Sequence, residues 1–289
     1  MKQYQLSWGS HNLVLGEQYT AVMGVVNITP DSFSDGGRFF SYKTAVAQGR
    51  KLEQEGADII DIGGESTRPF SDSVSVEEEI RRVVPVIEAL AKRISIPISI
   101  DTTKAAVARR ALDAGASIIN DVGALRLDAD LATVASEYGV PVVLMHMLGT
   151  PKTMQVSPVY DDLISDIKTF LKDAIKRAMQ NGILKSKIII DPGIGFGKTL
   201  EHNLLIIKHL HEFEALGAPV LIGPSRKAFI RKLLKVPEAK DIQPDHPVVE
   251  TGTQAVVCAG VLNGAHIVRV HDVASTRAAI KIIKAIKNA

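Results

Sequence analysis

Eight short apolar runs recur along the chain, and each carries a polar residue or a glycine at or next to its end. They are AVMGVVN (21–27), ADIIDI (57–62), IPISID (96–101), ASIIND (116–121), VPVVLMH (140–146), SKIIID (186–191), APVLIG (218–223) and AHIVRVH (265–271). They are brief and rich in β-branched residues, which suits strands buried on both faces. Between them the period changes from two to about 3.6. Ile80, Val83, Val84, Ile87 and Leu90 share one helical face, as do Leu163, Ile167, Phe170, Leu171 and Ile175.

Strand, glycine-containing loop and amphipathic helix therefore repeat as a unit, which predicts a parallel sheet covered by helices. Eight units in 289 residues predict an α/β fold, a single (β/α)8 TIM barrel. An open doubly wound sheet is the alternative. Ahead of the first unit, QYQLSW and HNLVL flank Gly9-Ser10 and predict a hairpin. Residues 1–16 are expected to close the barrel bottom, with 17–289 forming the barrel and the whole making one domain. Longer loops at 28–41, 63–76 and 145–160 are rich in Gly, Pro, Ser, Thr or Asp. Connections of that length in a compact fold are more often functional than idle.

Composition narrows the classes. An apolar fraction of 46% is ample for a large core. A formal net charge of +2 gives no strong attraction to nucleic acid or an acidic membrane. The single cysteine, Cys258, excludes a disulfide framework and fits a reducing compartment. The N-terminal stretch has no continuous apolar segment of the kind a secretory leader needs, and no run approaches the roughly 20 apolar residues of a membrane helix. A cytoplasmic protein is expected.

One loop imitates a nucleotide site. DPGIGFGKT, Asp191 to Thr199, has three glycines before Lys-Thr. The phosphate-loop pattern G-x-x-x-x-G-K-[ST] requires glycine at 192, where Pro192 stands without an N–H to offer. The dinucleotide pattern G-x-G-x-x-G fails too, because the glycines fall at 193, 195 and 197. The stretch is expected to be a strand end at Asp191, a glycine loop, and a helix beginning near Thr199. Lys198 is expected to be solvated or to cap that helix.

The strand ends carry Asn27, Asp61, Asp101, Asn120-Asp121, His146, Asp191, Ser225-Arg226-Lys227 and Arg269-Val270-His271. Parallel strands bring these groups to the C-terminal mouth, where barrels of this kind place their active sites. Asp61 and Asp121 are equally suited to supporting or capping work, and His146 to a packed, hydrogen-bonded position. Asp101, Asn120, Asp191 and Lys227 mix donors and acceptors in a way that suits a flat heterocycle. A carboxylate can grip an amino–N–H edge through two parallel bonds, as it grips arginine. Asn27, Arg269 and His271 suit an anion, and the helix after His271-Asp272 offers its N-terminal N–H groups nearby. Zinc spacing and a G-x-S-x-G elbow are both missing from the sequence.

In order and spacing, MGVVNITPDSFSDGG, GADIIDIGGESTRP, SIDT, INDV, LMHMLGTP, DPGIGFGKT, SRK and RVHDV resemble the dihydropteroate synthase family, from about Met23 to Val273. The resemblance implies condensation of a dihydropterin methyl diphosphate with 4-aminobenzoate in folate biosynthesis. It implies a pterin pocket of Asp101, Asn120, Asp191 and Lys227, with Gly195 and Phe196 on its floor. It implies a diphosphate site of Asn27, Thr67, Arg269 and His271, with Asn27 reaching Mg2+. It also implies an aminobenzoate site, open to sulfonamides, of Phe33, Arg68, Pro69 and Ser225. Asp101, Lys227, Arg269 and His271 would carry the catalytic work, and a homodimer is expected. Two residues depart from the family pattern, Phe70 after Arg68-Pro69 and Pro224 before Ser225. The competing activity is that of a pterin-binding methyltetrahydrofolate methyltransferase, which needs neither an anion site for diphosphate nor the TPDSFSDGG and STRP loops. A pterin-binding barrel without turnover is the non-enzymatic alternative.

Overall fold

The computed structural model describes residues 1–28, 37–66, 74–149, 154, 158–236 and 241–289, with only the backbone of 37–41. A two-stranded antiparallel hairpin, β1 (Tyr4–Trp8) and β2 (His11–Leu15), comes first and turns at Gly9 with φ +50°. Strands and helices then alternate: β3 (Ala21–Asn27), α1 (Gly37–Gln54), β4 (Ile59–Gly63), α2 (Val76–Ala91), β5 (Ile98–Asp101), α3 (Ala105–Asp113), β6 (Ile118–Asp121), α4 (Asp130–Tyr138) and β7 (Val142–Met145). The second half continues with α5 (Leu163–Gln180), β8 (Ile188–Asp191), α6 (Leu200–Lys208), β9 (Leu221–Ile222), α7 (Ala228–Leu234), α8 (Pro247–Leu262), β10 (Ile267–Val270) and α9 (Val273–Lys287).

β3 to β10 form one parallel sheet in the order β8-β7-β6-β5-β4-β3-β10-β9. A parallel bridge between Ile190 and Val220 joins its two ends and closes the barrel, with the Ile190 N–H donating to the Pro219 carbonyl at 3.0 Å. The open-sheet alternative is thereby excluded.

Side chains leave a strand to alternate faces, so every second residue points into the barrel. The outward set, including Ile60, Ile119, Val142, Ile188, Ile222 and Val268, merges with the helices into the main core. The inward set begins at the bottom with Met23, Ile59, Ile118, Val143, Ile189, Leu221 and Ile267. These pack in one buried cluster with Leu6, Trp8 and Leu15 of the hairpin. Fully burying side chains of this size is worth roughly 1.5–3 kcal/mol each. One step further up the strands, two residues on, the inward positions become polar: Asp61, Asn120, Asp191 and Arg269. β4, β6, β8 and β10 are thus apolar below and polar above on the same face.

Candidate active site

Arg269 on β10 reaches across the barrel to two carboxylates. Its Nε donates to Asp61 Oδ2 on β4 at 2.6 Å, and its Nη2 donates to Asp101 Oδ2 on β5 at 2.6 Å. The same Asp61 oxygen accepts from Asn120 Nδ2 on β6 at 3.1 Å. Asp61 is fully buried, and Asp101 and Asn120 nearly so. Asp61 Oδ1 and Asp101 Oδ1 are buried with no hydrogen-bond partner among the described residues. A carboxylate in such a place is costly unless something completes its coordination.

The electrostatics follow from that crowding. Burial pushes the Asp101 carboxyl above its ordinary range, and the opposing attraction of Arg269 does not offset it; Asp61 and Glu79 push in the same direction as burial. Arg269 is driven the other way: two carboxylates hold its guanidinium more firmly protonated than usual, despite the cost of burial. Burial dominates at Asp101, whereas at Arg269 the two carboxylates together outweigh it. Half-buried Asn27 completes this side. Its Oδ1 lies 3.5 Å, and Asp101 Oδ2 3.7 Å, from the point a Cβ on Gly63 would occupy. A methyl at 63 would stand in ordinary contact with both oxygens.

Asp191 ends β8 and opens the glycine loop. Its Oδ1 accepts from Gly193 N at 2.7 Å, and burial raises its pKa to about 6 against that bond and the nearby Lys227, Lys198 and Arg269. Gly193 has φ +72°, and a Cβ there would sit 1.9 Å from the His146 carbonyl oxygen. Only glycine permits this approach of one backbone to another. Gly195, at φ +83°, donates its N–H to Asn203 Oδ1 at 2.7 Å and leaves room for the Lys227 stem. Phe196 packs with Val122, Met145, Met147 and Met154, and Lys227 Nζ lies 4.1 Å from its ring centroid. That is within the range of cation–π attraction.

The structure overturns the expectation for Lys198. It is neither solvated nor a cap. It is buried, with Nζ 2.9 Å from His146 Nδ1 and 2.9 Å from the Phe196 carbonyl. Burial lowers the Lys198 pKa to about 7, and burial with neighbouring Lys198 and Arg126 lowers that of His146 to about 2. His146 is therefore a neutral acceptor, edge-on to Phe170. The cap is Thr199, whose side chain accepts from His202 N at 3.2 Å, and α6 starts where the sequence places it.

Past β9, buried Ser225 Oγ lies 2.9 Å from His271 Nδ1 and accepts from the His271 N–H at 3.3 Å. Two residues assigned in the sequence to different ligands thus touch each other. Asp121 organises its own loop, accepting from Gly123 N at 2.7 Å and Leu125 N at 2.5 Å. The N-terminus of α9 is less open than its sequence suggests, because Asp272 Oδ1 accepts from Ser275 N at 3.0 Å. Phe33, Thr67, Arg68, Pro69 and Phe70 lie outside the described residues. The residue that sequence reasoning undervalued is Asp61. Its signal is parity: it stands two positions after inward-facing Ile59 and so faces the same interior.

A barrel mouth with this acid, amide and cation set is matched by a known family. The model of the pterin binding enzymes matches residues 23–271. The chain is 46% identical over 267 residues to the dihydropteroate synthase of Synechocystis sp., covering 92% of this chain and 90% of that one. It is 46% identical over 264 residues to the dihydropteroate synthase of Escherichia coli, covering 91% and 90%. Among solved structures, Yersinia pestis dihydropteroate synthase in a sulfonamide complex superposes with a TM-score of 0.89 at 44% identity, over 99% of this chain and 100% of that one. The Xanthomonas albilineans enzyme with 4-aminobenzoic acid also gives 0.89, at 41% identity over the whole of both chains. The same enzyme with 7,8-dihydropteroate gives 0.84 at 41% identity, over 96% and 97%. The chain belongs to the pterin binding enzymes and, within them, to the dihydropteroate synthases.

Proposed function

We propose that this barrel joins (7,8-dihydropterin-6-yl)methyl diphosphate to 4-aminobenzoate, releasing 7,8-dihydropteroate and diphosphate. It is a transferase of folate biosynthesis. The observation that supports this best is the juxtaposition at one barrel end of a carboxylate–amide group, Asp101, Asn120 and Asp191, with the cations Lys227 and Arg269. The carboxylate–amide group with Lys227 suits the edge of a pterin, and Arg269 suits its departing phosphates.

In the reaction the methylene C–O bond to diphosphate breaks, the C–N bond to the aniline nitrogen forms, and that nitrogen loses a proton. The aniline is a weak nucleophile, so help to the leaving group matters most. Arg269 commits Nε and Nη2 to Asp61 and Asp101, which leaves Nη1 as the edge for a phosphate oxygen. His271, positioned by Ser225, adds a second donor for the leaving group. As positive charge develops on the pterin, ionised Asp101 stabilises it electrostatically. Asp191 holds the ring through its amino–N–H edge, and Asn120 and Lys227 hold other heteroatoms. Phe33, Thr67, Arg68 and Pro69 complete the aminobenzoate and diphosphate sites on this reading.

The site also suits Mg2+. Asn27 Oδ1 is a hard oxygen donor beside Gly63, and Asp101, on the same side, keeps its Oδ1 without a hydrogen-bond partner among the described residues. No group of three or more His, Cys, Asp or Glu residues assembles among the described residues. Magnesium commonly takes one or two protein oxygens and draws the rest from water and substrate phosphates. When bound it would neutralise charge on the diphosphate.

A homodimer fits the apolar exposure of Leu204 and Leu205 on α6, Leu233 and Leu234 on α7, and Val248 on α8. Sedimentation at micromolar concentration tests it, and a monomer there would contradict it. No described helix is long and apolar enough to cross a membrane; with the single Cys258, this supports a cytoplasmic site of action. The deciding assay follows diphosphate release by purified protein. Release that requires both 4-aminobenzoate and Mg2+ is expected. No release at any substrate level, or methyl transfer from methyltetrahydrofolate instead, would overturn the reading.

A further inference from the structure

The turn between β9 and α7 contains a conformational oddity. Lys227 N–H donates to the Pro224 carbonyl at 3.2 Å, closing a four-residue turn over Ser225 and Arg226. Arg226, the third residue, has φ +60°. Turns that need positive φ at this position normally take glycine or asparagine, and a larger side chain there is strained. Nothing in β9 or α7 demands arginine for the turn itself, since glycine would make it without strain.

The strained residue is bound on every side to neighbouring helices. Its N–H donates to Thr253 Oγ1 on α8 at 3.2 Å, and Thr253 is fully buried, its own hydroxyl donating to the Val249 carbonyl at 2.9 Å. Its Nε lies 3.4 Å from Glu250 Oε2, also on α8. Its carbonyl accepts from Arg231 Nη1 on α7 at 3.2 Å. α7 and α8 are themselves in close contact at Gly252, where a Cβ would meet Ile230 Cγ2 at 2.6 Å. The turn is thus clamped to a rigid pair of helices. On either side of Arg226 stand Ser225, bonded to His271, and Lys227, over Phe196.

We infer that Arg226 is a positioning residue: its left-handed backbone, anchored to α8 through Thr253 and Glu250, sets Ser225 against His271 and Lys227 against Phe196. It touches no substrate itself. The inference rests on the function proposed above only for its kinetic consequence; its structural consequence is independent.

Arg226→Gly separates the two. Glycine keeps the turn and removes the strain, so the melting temperature should hold or rise. Glycine also keeps the main-chain bond to Thr253 but loses the Glu250 contact and frees the backbone to leave the left-handed region, so Ser225 Oγ should leave hydrogen-bonding reach of His271 Nδ1 in a crystal structure, and KM for 4-aminobenzoate should rise about tenfold. Thr253→Val should raise KM in the same direction, while Thr253→Ser, which keeps the acceptor, should restore the wild-type value. A Ser225–His271 bond retained in Arg226→Gly would overturn the inference whatever the kinetics. So would an unchanged KM in Arg226→Gly when the wild type turns over, or a loss that merely tracks a lowered melting temperature. Absence of turnover in the wild type would sink the proposed reaction but not the displacement of Ser225.

Discussion

Asp61 and Arg269 stand on β4 and β10, 208 residues apart in the chain, and meet at 2.6 Å inside the barrel. The same Asp61 oxygen also holds Asn120. One carboxylate therefore fixes a cation and an amide that arrive on separate strands. Removing it leaves the part-buried Arg269 charge with Asp101 as its remaining paired acid. Asp61→Ala should cost about 3–5 kcal/mol in urea unfolding, the range for breaking a buried pair. It should also lower kcat by about 10²-fold, the loss typical of one misplaced electrostatic donor. Stability and kcat both within error of wild type would show that the pair is idle.

Lys198 carries a pH dependence whose sign can be worked out. Its folded pKa of about 7 lies below the ordinary lysine value. Below pH 7 the amine is charged in both folded and unfolded states, and the folded state bears the cost of burying it. Between pH 7 and about 10.4 the unfolded chain holds a proton that the folded one has released, so stability rises with pH. The neighbours that set this balance are Asp191, which favours the charge, and Lys227, which opposes it. His146 stays neutral throughout. Wild type should gain stability relative to Lys198→Met between pH 6 and pH 9 in urea titrations. A difference that stays flat or falls over that interval would refute the burial of a titrating amine.

Gly193→Ala should be severe. The new methyl would meet the His146 carbonyl oxygen at 1.9 Å, and φ +72° adds about 1–3 kcal/mol of conformational strain. Because Gly193 N holds Asp191, pterin affinity should fall at least tenfold by calorimetry. Retained affinity would mean that Asp191 is placed by something else.

The bottom of the barrel should behave in the opposite way. Trp8 is buried in the cluster of inward residues below the polar layer. Trp8→Ala should cost about 3–5 kcal/mol of stability and leave KM unchanged where the protein stays folded. A large change in KM with little change in melting temperature would reverse that division of labour.

How much of this the sequence discloses depends on the range of the interaction. Runs such as SIIND and KIIID announce strands because both of their faces are buried, and Asp101, Asn120 and Asp191 stand at their ends in plain view. Thr199 marks the start of α6 because capping is local. Asp61 is harder to judge, because its partner comes from a strand adjacent only to β3 and β9 and reaches it across the closed barrel. Lys198 is obscured for a similar reason. A lysine beside a glycine loop is ordinarily solvated, and only the approach of His146 from β7 shows that this one is enclosed. Positive φ at Arg226 leaves no trace in the sequence at all, since nothing about Ser-Arg-Lys distinguishes it from an ordinary turn.

The central claim is that one barrel end grips a bicyclic ring with its acids and the attached phosphates with its cations. Calorimetry with two ligands, the 7,8-dihydropterin with and without its diphosphate, addresses that division most directly. Asp191→Asn should weaken both ligands by a similar factor of ten or more, whereas His271→Ala should weaken only the diphosphate form. Equal losses for both ligands in His271→Ala, or no loss for either in Asp191→Asn, would contradict it.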